Sequence, residues 1–183
     1  MTGKLFADAD WQQHFSNLFQ LAVEKYRAGH QKATGLLDEA GRKFLASIGH
    51  TEQEFFDFVE DHVKAGEPSL ETALNIAAVR SEYFLKEQKS VPSTHRISMD
   101  KLPAKNAQVE GIAWLPRLLP KAEAKLRGEM PPELMYCCGG DRKFFKTHHL
   151  DPAEFLQKVW SAQGNQNQVV AWVKARAKLK EEK

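Results

Sequence analysis

The chain has 183 residues, a formal net charge of +2, 42% hydrophobic and 27% charged residues, and includes four Trp and eleven Phe. That length buries a real core or two small ones, and the aromatic content argues against disorder. The charge balance is too small to force a nucleic-acid or acidic-membrane partner.

The first pattern in chain order starts at Trp11. Trp11, Phe15, Leu18, Phe19, Ala22 and Tyr26 recur at steps of three and four, which is one face of an amphipathic helix. It ends near Gly29, and a shorter helix is expected around Phe44, Leu45 and Ile48. Thr51 followed by Glu54 has the form of a capping box and opens a helix carrying Phe55, Phe58 and Val59. Gly66 ends that helix and Ser69 caps the next, whose inner face is expected to hold Leu70, Leu74, Ala77, Ala78, Ser81 and Leu85.

The stretch from Glu87 to Gly111 is polar, contains prolines and has no sustained period. It reads as a linker between two units. The second half then repeats the theme. Trp114, Leu115, Leu118 and Leu119 lead into another helix; Pro120 suits a first turn, so that helix is expected to begin near Leu119. Asp151 caps a helix with Phe155, Leu156 and Val159, which Gly164 ends. Asn165 or Asn167 caps a last one with Val169, Trp172, Val173 and Arg176 on one face. Phe55, Phe155 and Trp172 are expected to be buried. No alternating β pattern of useful length occurs, so the fold class is all-α.

A shift of one hundred residues aligns the halves: Leu18 with Leu118, Lys25 with Lys125, Arg42-Lys43-Phe44 with Arg142-Lys143-Phe144, and Glu54-Phe55 with Glu154-Phe155. The matches fall at core and cap positions. The expected architecture is therefore two tandem related helical units, an internal duplication, with residues 1–88 and 112–183 joined by the polar linker 89–111.

One stretch concentrates chemistry: Cys137-Cys138-Gly139-Gly140-Asp141-Arg142-Lys143-Phe144-Phe145, followed by His148 and His149. Neighbouring cysteines do not easily form an unstrained disulfide, so thiols in a reducing compartment are expected. No donor spacing here matches a structural zinc site, so no metal is expected, and no cofactor. A thiol near a helix start beside Arg and Lys can be activated. The bland alternative is a helix junction, in which Gly139 and Gly140 make the turn, Asp141 caps, Phe144 enters the core with Phe145 at its edge, and His148 and His149 meet the last carbonyls as partly positive imidazoles.

Over residues 111–175 the chain resembles the bacterial family described as domain of unknown function 5069. The resemblance is carried by Pro116, Arg117, Leu118, Leu119, Lys121 and Ala122, then by Tyr136, Cys138, Asp141, Phe144 and Phe145. It continues through Leu150, Asp151, Phe155, Val159, Val169 and Trp172. The order of all these positions makes the likeness, not any single motif. The first half looks like a more diverged copy. Pro120 stands where the family has Asp, Gly139-Gly140 where it has Pro-Leu, and His149 where it has Gly. The resemblance strengthens the helical fold and implies no activity.

Two functions therefore compete. One is a non-enzymatic helical module that binds a partner protein or a small ligand. The other is a thiol- or acid/base-dependent enzyme at a candidate pocket of Cys138, Asp141, Arg117, Lys121 and Arg142. Nucleic-acid binding would need a basic stripe with exposed aromatics, and the sequence shows neither. The N-terminus lacks a signal-peptide pattern and no uncharged run reaches the roughly 18 residues of a membrane span. A cytoplasmic location with no membrane partner is expected.

Overall fold

The apolar stripe from Trp11 to Tyr26 becomes a single long helix, α1 (Asp8–Arg27), in the computed structural model. The structure describes residues 8–181. These fold into eight α-helices, a 3-10 turn at Met99–Lys101 and one two-stranded hairpin, so the protein is mostly helical. The chain divides into two compact units, one ending at Ala78 and the other starting at Val79.

In the first unit α1 is followed by α2 (Glu39–Ser47) and α3 (Glu52–Ala65). Phe15, Leu18, Phe19, Ala22 and Tyr26 are buried, while Trp11 at the stripe's start is half-buried. Phe15 and Phe19 meet Phe55 of α3 edge-on, with centroids 5.3 and 5.9 Å apart. Such contacts add to the burial of three aromatic rings. Asp38 caps α2 by accepting from the Gly41 amide at 2.8 Å. The Thr51–Glu54 capping box forms in both directions, and Gly66 ends α3 in the left-handed region.

Helix α4 (Leu70–Lys86) starts in the first unit and runs into the second. Ser69 accepts from the Thr72 amide at 3.1 Å, as a cap should. Its buried face is the expected one only at Ala77 and Ser81. Ala73, Ile76, Ala77, Ser81 and Phe84 are buried with Arg80, whereas Leu85 is 39% exposed and Leu70, Leu74 and Ala78 are half-buried. Two apolar stripes run along this helix, and the buried one holds Ile76 in the first unit and Phe84 in the second. Arg80 lies with its guanidinium 5.2 Å from the Phe84 ring centre. It also lies against Gly128, where an added Cβ would come within 2.5 Å of Nη2.

In the second unit, the 87–111 stretch contains the 3-10 turn and most of a hairpin. β1 (Gln108–Val109) pairs antiparallel with β2 (Ile112–Ala113) around Glu110 and Gly111, both at positive φ. Ile97 donates its amide to the Glu129 carbonyl at 2.9 Å, and Ser93 donates to the Glu129 carboxylate at 2.9 Å. The stretch is thus tied along its length to the second unit.

Helix α5 (Leu115–Arg127) begins four residues earlier than expected. Pro116 takes the first-turn place, where a missing amide costs nothing. Pro120 therefore lies inside the helix and removes the amide that would have bonded the Pro116 carbonyl. Helices α6 (Gly139–His148), α7 (Pro152–Ala162) and α8 (Gln166–Glu181) follow. Asp151 caps α7 by accepting from the Glu154 amide at 2.8 Å, while the Glu154 carboxylate pairs with Arg176 on α8 instead of returning to the cap. The left-handed residue that ends α7 is Gln163, one position before Gly164.

The second core gathers Leu118, Phe144, Phe145, Phe155, Val159 and Val173. Phe145 is 2% exposed, so it belongs to the interior and not to its edge. Trp172 is only half-buried: one face meets Phe155 and the Arg176 guanidinium lies 5.4 Å from its ring centre. Val169, Val170 and Val173 take the buried face of α8.

Candidate functional site

The conspicuous stretch is a loop-to-helix join that wraps a buried ion pair. The inner face of α5 carries two lysines, Lys121 and Lys125, each 1% exposed. Lys121 Nζ donates to Asp141 Oδ2 at 2.5 Å, with both side chains closed to solvent. An unpaired ammonium in that place would cost several kcal/mol (about 3–5). The carboxylate is satisfied by two further donors: the Cys137 amide at 2.9 Å to Oδ2 and the Trp114 indole N–H at 2.9 Å to Oδ1. Lys121 Nζ also lies 3.3 Å from Cys138 Sγ.

Local geometry explains how the carboxylate reaches these groups. Asp141 is the third residue of α6, where a carboxylate also favours the positive helix end. Gly139 and Gly140 are the first two residues of α6, not the turn ahead of it. The turn is made by Cys137, which sits at φ 68°. Gly140 has its own reason: an added Cβ would lie 2.4 Å from the Trp114 ring, so only glycine lets the indole settle over the start of α6. Burial, followed by the neighbouring Asp141 charge, pushes the Cys137 thiol up to about 12, and that residue is 1% exposed. Tyr136 beside it is raised well above the usual phenol range by burial, and donates its hydroxyl to the Pro152 carbonyl at 2.8 Å.

Of the five candidate residues, Lys121, Asp141 and Cys138 come together. Arg142 touches the same loop by donating to the Cys137 carbonyl at 2.8 Å. Arg117 does not join them; its guanidinium donates to the Pro103 carbonyl at 2.8 Å. Among the described residues no three His, Cys, Asp or Glu side chains come together as a metal ion would need. The residue missed by sequence reasoning is Trp114. Nothing local announces that its indole N–H serves a carboxylate in another helix.

Beside the pair, on the outer side of Trp114, lies a groove of about 530 Å3. Gly111, Ile112, Ala113 and Trp114 form one wall, and Gly140, Lys143, Phe144, Thr147 and His148 of α6 form the other, with Lys105 at the rim. His148 is the last residue of α6, yet it is not the positive cap expected there. Its imidazole lies against the Phe144 ring, with centroids 4.5 Å apart. Burial, then the neighbouring His149, lowers its pKa from the ordinary histidine range. His149 closes the helix at φ 53°.

Residues 100–183 match the family model described as domain of unknown function (DUF5069). The match takes in α5 to α8, the buried pair and the whole groove. No curated protein and no solved structure matches the chain. The description of that family names no activity for the matched residues. Among the described residues, no helix is long and apolar enough to cross a membrane.

Proposed function

We propose that the DUF5069 domain is a non-enzymatic binding module whose groove takes a small anionic ligand with a planar apolar part. The observation that carries this reading is the lining. Among the described residues, Lys105, Lys143 and His148 are its ionisable groups, with no carboxylate among them, and Ile112, Trp114 and Phe144 supply the apolar surface. The Asp141 bond holds the indole wall in one orientation, which lowers the ordering cost of binding. The Lys121–Asp141 pair supports the reading from the other side: it is closed and satisfied, as a structural ion pair is.

The test is a titration with naphthalene-2-sulfonate, followed by the NMR signal of the Trp114 indole N–H. Lys143→Glu is expected to weaken binding about tenfold or more, and added salt to weaken it further, because these are exposed charges. An anion beside His148 favours the imidazolium that burial disfavours. Binding therefore takes up a proton, and affinity is expected to rise as pH falls below about 6.5 toward the lowered pKa of His148. Equal binding of the uncharged naphthalene-2-sulfonamide, or an unchanged Lys143→Glu variant, would sink the proposal.

A second reading rests on the 3.3 Å contact between Lys121 Nζ and Cys138 Sγ at the start of α6. An ammonium and a helix N-terminus are the surroundings of a reactive thiol, and Cys138 is half-buried where Cys137 is enclosed. Alkylation with iodoacetamide separates the two readings. A binding module is expected to show Cys138 reacting no faster than a free thiol, with Cys138→Ser leaving the sulfonate titration unchanged. Alkylation about tenfold faster than a free thiol would favour thiol chemistry instead.

We also infer that the two units are diverged copies. Helices α2 and α6 start at Glu39 and Gly139, and α3 and α7 at Glu52 and Pro152, which keeps the hundred-residue register. Phe44 and Phe144 are both buried, as are Phe55 and Phe155. Leu21 and Gly41 stand at the positions of Lys121 and Asp141, so the ion pair belongs to the second copy. An experimental structure in which Phe44 fails to superpose on Phe144 when the units are overlaid would refute the inference.

A further inference from the structure

The second unit has another groove, of about 280 Å3, with the opposite electrostatic character. It lies among the end of α4, the last turns of α5 and the end of α7. Tyr83 and Trp160 form a corner in it, with ring centres 5.5 Å apart and planes at 69°. The Trp160 indole N–H donates to Glu87 Oε1 at 3.1 Å, which fixes both the ring and the carboxylate. Glu123 contributes a second carboxylate from α5.

Among the described lining residues Arg127 is the one cation, and it is shared between two carboxylates, more closely with Glu129. Its Nε donates to Glu129 Oε2 at 2.7 Å, whereas Glu123 is 3.8 Å from Nη1. Glu129 is 8% exposed, and the hydrogen bonds from Arg127 and Ser93 outweigh its burial and hold it below the usual carboxylate range. Glu87, Glu123 and Glu129 thus stand against Arg127 and the nearby Arg80, which leaves a net negative charge beside the two aromatic rings.

We propose that this corner binds a small quaternary ammonium compound. A cation within about 6 Å of an aromatic ring centre is attracted by the ring's negative face. A quaternary ammonium loses no hydrogen bond on entering, so aromatic faces and nearby carboxylates suffice for it. A primary ammonium or a metal ion needs converging oxygen acceptors, and Glu87 Oε1 is engaged by the indole. The proposal does not depend on the anion groove.

Choline is the probe, titrated into the full chain while the Trp160 indole N–H signal is followed by NMR, with Trp160→Phe used for assignment. The signal is expected to shift with saturation in the millimolar range. The isostere 3,3-dimethylbutan-1-ol, which has the same shape and no charge, is expected to bind about tenfold more weakly or worse. Replacing both carboxylates, Glu87→Gln with Glu123→Gln, is expected to cost about tenfold in choline affinity, and these partly exposed positions should leave folding intact. Equal binding of the isostere overturns the proposal, as does unchanged affinity in the double variant. So does the absence of any Trp160 shift at about 50 mM choline, a concentration at which cation–π recognition of this kind is populated. A trimethyllysine peptide binding about tenfold more tightly than choline would also overturn it, replacing the free small cation by a modified chain.

Discussion

Asp141→Ala is expected to destabilise the second unit by about 3–5 kcal/mol, the range for removing one partner of a buried ion pair. The loss has three parts. The Lys121 ammonium remains 1% exposed with only the Cys138 sulfur beside it. The Cys137 amide and the Trp114 indole N–H both lose their acceptor, and each unsatisfied buried donor costs about 1–3 kcal/mol when it cannot reach water. Lys121→Met leaves a desolvated carboxylate that keeps its two N–H donors, so it should cost less than Asp141→Ala. The double variant Lys121→Met with Asp141→Ala should cost less than the sum of the two, because neither charge is then stranded. Urea denaturation followed by tryptophan fluorescence measures all three, since Trp114, Trp160 and Trp172 lie in the second unit. A loss below about 1 kcal/mol for Asp141→Ala would show that water reaches the pair and that its burial has been misjudged.

Phe155→Ala is expected to cost on the order of 3–5 kcal/mol, from lost transfer energy and the cavity left behind. The ring is fully enclosed, with Phe145 and Phe144 at 5.5 and 6.3 Å and Trp172 at 6.3 Å between centroids. Three large neighbours from two helices cannot all collapse into the space. Phe55→Ala should cost a comparable amount in the first unit, where Phe15 and Phe19 surround the ring in the same way. A measured change below about 1 kcal/mol at Phe155 would mean that α7 turns a different face inward.

The features legible in the sequence share one property: their causes lie within three or four residues. The Thr51–Glu54 box, the Asp151 cap and the left-handed Gly66 are contacts along a single turn. The inner face of α1 and the burial of Phe55 and Phe155 follow from apolar residues recurring at helical steps. Where a helix carries two usable stripes, as α4 does, that rule loses its force. Leu85 and Phe84 are adjacent, and only the shape of the core chose Phe84. Pro120 misled for a related reason: Pro116 filled the first turn equally well, and α5 accepted the second proline inside it.

What the sequence by itself determined is the helical class, the caps that start α3, α4 and α7, and the aromatic residues at the centre of each unit. What only the tertiary structure decided is the role of the chemistry-bearing stretch. Lys121 and Asp141 are twenty residues apart, and Trp114 and Asp141 twenty-seven. A lysine on an apolar helix face reads as solvated until a carboxylate from another helix is brought to 2.5 Å. Gly140 reads as a turn until the Trp114 ring is seen resting on it. Local signals are encoded by residues that are neighbours in the chain. The pairing of charges, and the grooves beside them, exist only once packing has removed those groups from water and set them face to face.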